Sequence, residues 1–453
     1  MRRTPERKAP ERRAAGRTAA SDIHRTSDMV WVLDPSEPFA GPVKNGGTVI
    51  ATVSPGCWGP MMTPDYPSGH EVTKPVAVEG AEVGDAVVIS IKKITVLSRA
   101  TTSGTDEPQE GHYIGSASIA ATCPGCGTVN PATHLEGVGE DAIICDKCGT
   151  VVKPFRFGST YTVLMDDART VAVTVPPEVA AEIAGKAAEY SALPPRSRQY
   201  SANVFARGEM PGVVTPLRPM IGNIGTCPAV AVPSSSNAGD SAVSLVGAPH
   251  RYAIEAMDLP ALTDGHMDVN EVVEGAVIIA PVKVKGAGIY VGDVHAMMGD
   301  GELAGHTADV SAEVVFEVQL LKRSETDLNL DGPILLPVSG DLPAIVKPRT
   351  LEVLTRAEAI AAEHGFPLEE RSLPIQVIGT GRNINAATEN GLQRMAKITD
   401  LPLPEVRNRC TITGQVEIGR LPGVVQISML VPGSILRRIG LWDIVSKQYG
   451  VGN

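Results

Sequence analysis

The sequence predicts a mainly β protein, a β-rich α+β fold of packed sheets with a few helices. Three observations carry that expectation. Glycine and proline are abundant, 46 and 36 of 453 residues, so the chain is punctuated by turns. Between them run short β-branched segments at 49–53, 85–96, 161–165 and 170–175, the pattern of strands closed by tight turns. Helical spacing of apolar residues is confined to 177–190, 350–363 and 386–398, too little for a helical bundle and in the wrong order for a doubly wound α/β fold.

Taken in order, residues 1–26 contain no apolar run and cannot offset the entropy of ordering. They are expected to be a disordered basic tail. Residues 1–25 hold eight Arg or Lys against three Asp or Glu, a net +5 that leaves −16 on the rest of a chain whose formal charge is −11. An Arg-rich transit peptide shares that composition; the absence of an apolar h-region argues against a secretory signal, and no stretch reaches the ~20 apolar residues of a membrane span. A cytoplasmic protein is expected. The acidic body argues against a nucleic-acid platform, and the length allows two or three domains with a substantial core.

Residues 27–121 read as an N-terminal β region, with 79–85 turning between strands. The next segment, 122–152, has a different character. Cys123-Pro-Gly-Cys126-Gly and Cys145-Asp-Lys-Cys148-Gly form two C-x2-C knuckles separated by eighteen residues, the spacing of an inserted ribbon with a structural zinc on Cys123, Cys126, Cys145 and Cys148. Such an ion organises a loop too short to bury its own core. The remaining cysteines, Cys57, Cys227 and Cys410, are odd in number, which fits a reducing compartment. Cys57, in Pro55-Gly56-Cys57-Trp58, is either a buried thiol or a nucleophile.

Residues 153–325 form a central β region with one short helix at 177–190, opened by paired prolines and Glu178. The Pro- and Ser-rich stretch 228–238 is a loop whose hydroxyls serve substrate or cap turns. Residues 326–453 read as α+β: helices at 350–363, with Leu351, Leu354 and Ile360 opposite an acidic face, and at 386–398, then alternating strands over 408–431.

One stretch of the central region is dense in chemistry. Gly292-Asp293-Val294-His295-Ala296-Met297-Met298-Gly299-Asp300-Gly301-Glu302 sets four potential ligands or proton carriers among small, turn-forming residues. Asp293 and His295 lie two apart, so an extended backbone puts both on one face. A carboxylate and an imidazole so paired suit a divalent metal such as zinc.

With this stretch the chain resembles the acetamidase/formamidase family of amide hydrolases, which carry a Gly-Asp-x-His turn followed by Gly-Asp-Gly-Glu. Two further blocks are similar: Val78-Glu79-Gly80-Ala81-Glu82-Val83-Gly84-Asp85, with Val83 where the family has proline, and Arg218-Pro219-Met220-Ile221-Gly222-Asn223-Ile224-Gly225. Gly265-His266-Met267-Asp268 stands where the family has Gly-Gly-Asn-Met-Asp. The resemblance covers roughly residues 29–440 and implies an acetamidase/formamidase-like architecture, a small amide substrate and a homo-oligomer.

Amide hydrolysis requires a nucleophile, a polarised carbonyl and a proton for the leaving amine; a divalent metal supplies the first two and a carboxylate the third. The expected metal ligands are His266, Asp293 and His295, with Asp268 as an alternative ligand or a carboxylate behind them. Glu302 is the expected base. Asp300 either assists it, by coordination or by orienting a histidine, or merely closes a turn. Gly222 and Asn223 offer backbone amides for an oxyanion hole or form a tight turn. His306 and His70 are candidate substrate contacts, with His112 a further one, and the extra histidines point to a larger or ring-containing amide. The rival expectation is a non-catalytic zinc-ribbon interaction or scaffold protein built on a hydrolase fold.

Overall fold

The computed structural model describes residues 22–56, 70–108, 123–128, 131–152, 155–197, 207–235, 237–244, 246–247, 253–259 and 265–451. A nine-stranded sheet forms its spine, in the order Ile23–Thr26, Thr48–Val53, Ala312–Leu321, Ala86–Val96, Val277–Pro281, Ile334–Leu336, Ser372–Thr380, Val424–Pro432 and Gly414–Arg420. Its strands alternate between two cores. Val87, Ile89, Ile91, Ile278 and Ala280 face one, while Ala86, Val88, Val277 and Ile279 face the other. Burial on both faces explains why Ala86 to Ile91 is apolar except at Ser90, before the strand turns exposed at Lys92 and Lys93. The second core is closed by helices Ile384–Thr399 and Leu403–Thr413 through Ala387, Leu392, Met395, Ile398 and Val406.

The first core is shared with a sheet built around Ile289–His295. That strand pairs antiparallel with Met220–Thr226, Asp309–Val310 and the short strands Val72–Thr73 and Val76–Val78. A third sheet orders Val214–Pro216, Val171–Thr174, Phe155–Met165 and Ala100–Pro108. Its last two strands pair from Leu164 with Ala100 to Phe155 with Pro108, so the cysteine segment leaves and re-enters at one place.

The mainly β expectation matches this architecture, with corrections at particular elements. The tail stops short of residue 26: Ile23–Thr26 is a strand, parallel to Thr48–Val53, and residues 1–21 lie outside the described residues, as do Cys57 and His112. The 177–190 helix divides at Lys186 into Pro177–Gly185 and Ala187–Ser191; Gly185, a poor helix former, ends the first part. Residues 408–413 belong to a helix, because Thr411 and Thr413 donate to the carbonyls of Arg407 and Arg409 at 2.8 and 2.9 Å, which accommodates threonines that otherwise favour a strand. Leu351–His364 is capped by the Thr350 hydroxyl, yet Leu351 and Ile360 face outward, 80% and 56% exposed, and Ala361 is buried. No helix among the described residues is long and apolar enough to cross a membrane.

Candidate functional site

Three separate segments bring His70, His266, Asp268, Asp293 and His295 into one buried cluster, each 4% exposed or less. His295 and Asp293 end the Ile289–His295 strand, Met220–Thr226 runs beside them, and His266 is bridged to Asn223 of that neighbour. His295 Nε2 lies 3.1 Å from Asp293 Oδ1 and 3.9 Å from Asp268 Oδ1, and His266 Nε2 lies 3.0 Å from Asp268 Oδ2 and 3.4 Å from Asp293 Oδ2. His70 Nδ1 stands 3.3 Å from Asp293 Oδ2.

These contacts are close without being well-directed hydrogen bonds. Both oxygens of Asp268, both of Asp293 and both ring nitrogens of His266 are fully buried with no hydrogen-bond partner. Buried lone pairs left in that state cost about 1–3 kcal/mol each. The ligand atoms fall into two triads, His70, His266, Asp293 and Asp268, Asp293, His295, each within 4.8 Å, with Asp293 belonging to both. The site therefore fits a divalent cation.

Electrostatics agree. Burial works against charging His266, but Asp268 and Asp293 overcome it and raise its pKa to about 10. For Asp293, burial is outweighed by His70 and His295, and the carboxyl is held well below its ordinary value. His70 goes the other way, down to about 4, because burial is the largest influence on it. His295 follows His266: burial opposes its charge, but Asp293 and Asp309 hold its pKa well above the ordinary value, so the carboxylates here draw positive charge, as a cation site does.

The backbone leaves room for this crowding. A Cβ at Gly56 would stand 2.0 Å from Asp293 Oδ1, and one at Gly222 would stand 2.3 Å from Asp268 Oδ1. Gly222 thus lies inside the Met220–Thr226 strand, as the floor of the carboxylate cluster, and not in a turn. Asn223 spends its side-chain N–H on the Ser234 carbonyl at 2.7 Å, and Ser234 Oγ donates to the His70 carbonyl at 2.6 Å, so this pair secures the His70 segment. Asp268, Asp293 and Glu302 all occupy the left-handed region, at φ 47°, 55° and 44°. Asp293 and His295 thus lie two apart on one strand and meet as expected, with a positive φ at Asp293 within it.

Glu302 borders the cluster. Its Oε2 lies 2.9 Å from Arg420 Nε, which is 3.6 Å from Asp268 Oδ2. Burial, with Asp268 adding to it, pushes the Glu302 carboxyl up to about 8. Asp300, expected beside it, is exposed and accepts from Asn270 Nδ2 at 3.2 Å; two residues apart across a tight turn, the two carboxylates diverge. His306 is half-buried and close enough to Asp309 to influence it, but it stands outside the converging set.

Two neighbours were not anticipated. Asp309 Oδ1 lies 3.1 Å from His295 Nε2, and Arg420 arrives from the far edge of the nine-stranded sheet. Asp309 had a faint signal in the Gly305-His306-Thr307-Ala308-Asp309 block; Arg420 had none.

The second cluster lies in the cysteine segment. Cys123 and Cys145 head matching knuckles: their amides donate to Thr128 and Thr150 carbonyls, and Gly127 and Gly149 amides donate back to Cys123 and Cys145 carbonyls, at 2.8 to 2.9 Å. Cys123 and Cys148 sulfurs are 3.5 Å apart and those of Cys126 and Cys145 are 4.0 Å apart. All four are free thiols.

A family model described as the Acetamidase/Formamidase family matches residues 59–438. A Schizosaccharomyces pombe protein named "Putative formamidase" is 31% identical over 74 residues, 16% of this chain, and the chain spans 18% of the length of that curated relative. Among solved structures, a predicted acetamidase/formamidase of the thermophile Thermoanaerobacter tengcongensis has a TM-score of 0.51 at 18% identity, covering 93% of this chain and 99% of that one. An acetamidase of Yersinia enterocolitica has a TM-score of 0.51 at 14% identity, over 93% and 94% of the two chains. At these identities the likeness is one of fold.

Proposed function

The chain belongs to the acetamidase/formamidase family, and from that premise we propose that it is a metal-dependent amidase cleaving the C–N bond of a small linear or cyclic amide. One observation carries this reading: the buried clustering of His70, His266, Asp268, Asp293 and His295 in two triads that share Asp293, with carboxylate lone pairs left unbonded among the described residues. These five would hold the metal, and Asp309 would orient His295 from behind. A divalent ion there would supply a water acidic enough to attack at neutral pH and would draw charge from the carbonyl oxygen.

Glu302 is assigned the proton transfers. It takes the proton that the attacking water releases and delivers it to nitrogen, so that a C–O bond forms, the C–N bond breaks and a carboxylic acid and an amine leave. Arg420 holds the Glu302 carboxyl in place at 2.9 Å and offsets the charge formed when it ionises. Asp300 is not needed for either step.

The four-cysteine cluster is assigned a structural zinc. A tetrahedron with Zn–S of about 2.3 Å has edges of about 3.8 Å, and the two sulfur separations, 3.5 and 4.0 Å, bracket that length.

The test is ammonia or ring-opening release from formamide, acetamide and a panel of cyclic amides, before and after chelation and metal restoration. Turnover that disappears with the metal and returns with it is expected. Absence of turnover on every amide, or turnover that persists in protein shown to lack metal at the histidine centre, would overturn the proposal.

A further inference from the structure

Glu302 is carried on a tight turn, in which its amide donates to the Gly299 carbonyl at 3.2 Å. One flank of that turn is stitched to the end of strand Gly414–Arg420: Gly301 donates to the Gly419 carbonyl and accepts from the Leu421 amide, both at 3.1 Å. The other flank carries Asp300, whose Oδ1 accepts from Asn270 Nδ2 at 3.2 Å. Asn270 stands two residues after Asp268, so this bond runs from the segment of a proposed metal ligand to the turn of the proposed proton carrier.

A hydrogen bond so exposed to water ordinarily orders little, because both side chains give up rotamer freedom to make it. Here one partner is fixed beforehand. Arg218 Nη1 donates to both the backbone carbonyl and Oδ1 of Asn270, and Arg218 Nη2 donates to Asp341 Oδ2 at 2.8 Å. A guanidinium has donors only. The Asn270 oxygen must therefore face Arg218, which leaves the Nδ2 protons for Asp300, and the bond to the carbonyl locks the same residue at a second point. Arg218 is itself anchored beside the cluster, since its amide donates to the carbonyl of Ala296, next to His295, at 2.9 Å. The relay from Asp341 through Arg218 and Asn270 to Asp300 thus joins the segments of His295, Asp268 and Glu302, and none of its four members belongs to the two ligand triads.

We propose that Asn270 is a positioning residue: with its amide fixed by Arg218, it holds Asp300 and so keeps the Glu302 turn in place beside Asp268. The kinetic consequence rests on the amidase reading, and the structural one does not. Because the relay acts through the turn, its loss belongs on kcat and not on KM or metal content.

The test exchanges the two partners. Asn270→Asp keeps acceptors for Arg218 but sets a carboxylate against Asp300, and adding Asp300→Asn to the same chain returns an N–H donor to the pair. In the metal-loaded full-length protein, Asn270→Asp is expected to lower kcat roughly three- to tenfold, the size of one hydrogen bond, with KM within about twofold of wild type and metal content unchanged. The double variant should recover most of that loss, which additive damage to the fold would not do. Hydrogen exchange of the 299–302 amides should quicken in Asn270→Asp, and also in Asp300→Ala, which removes the acceptor from the other side, and should slow again in the double variant. Unchanged exchange in both single variants overturns the proposal, as does a double variant no better than Asn270→Asp. A wild type inert on every amide strikes the amidase reading alone and leaves exchange to decide this one.

Discussion

A carboxylate whose backbone is held at positive φ carries strain of order 1 kcal/mol that its neighbours must offset, and Asp268, Asp293 and Glu302 all share that condition. The proposed ligands and the proposed proton carrier share that backbone condition but not a task, so their loss should differ in kind. His295→Ala is expected to empty the histidine centre while the cysteine-bound zinc stays. Glu302→Gln, nearly the same shape but unable to accept a proton, should keep both metals and bind substrate while kcat falls on the order of 10²-fold or more. Metal analysis beside turnover checks both, and near-normal turnover in Glu302→Gln would remove Glu302 from its role. Asp293, His295 and Glu302 were legible because they crowd one short stretch. Asp309 and Arg420 were not, since their relation to the centre depends on strand register and on a sheet edge far along the chain. Asp300 lies exposed beside Asn270, because a Gly-Asp-Gly-Glu turn offers two carboxylates and only the backbone decides which turns inward.

Among the elements, Gly414–Arg420 reaches the site through its last residue, Arg420. It also carries Glu417, whose carboxyl is pushed up to about 7, first by burial and then by Glu271 and Asp300. A folded-state pKa above the ordinary 4.5 means that the folded protein holds this proton more tightly than the unfolded chain does. The associated stability is complete at low pH and is lost as pH rises through 4.5 to about 7. Glu417→Gln removes that loss, so its Tm advantage over wild type should be larger at pH 8 than at pH 4. An equal difference at both pH values would show that Glu417 is not strained by ionisation. The strands with apolar runs were readable from sequence, as were the capped helices Leu351–His364 and Ile384–Thr399. Leu403–Thr413 was not, because Thr411 and Thr413 favour a strand until their hydroxyls find carbonyls one turn back.

On the scale of the whole molecule, the two cores and the site are built from strands drawn from every part of the chain. The cysteine ribbon is the exception. Its contribution to folding is local, so Cys123→Ser should remove one zinc per chain and open residues 123–152 to protease while the histidine centre keeps its metal. Retained zinc stoichiometry would rule out the four-thiolate site. Because Phe155 and Pro108 are paired neighbours, everything between them can be exchanged for a two-residue hairpin turn without rerouting either strand. Such a shortened protein is expected to fold with the histidine metal in place, as metal analysis and a cooperative melt would show. That junction is in effect a socket: a chain of any length whose ends meet at hairpin distance can be plugged into it, which makes this a position where a lineage, or an engineer, can add a foreign domain without disturbing the sheets.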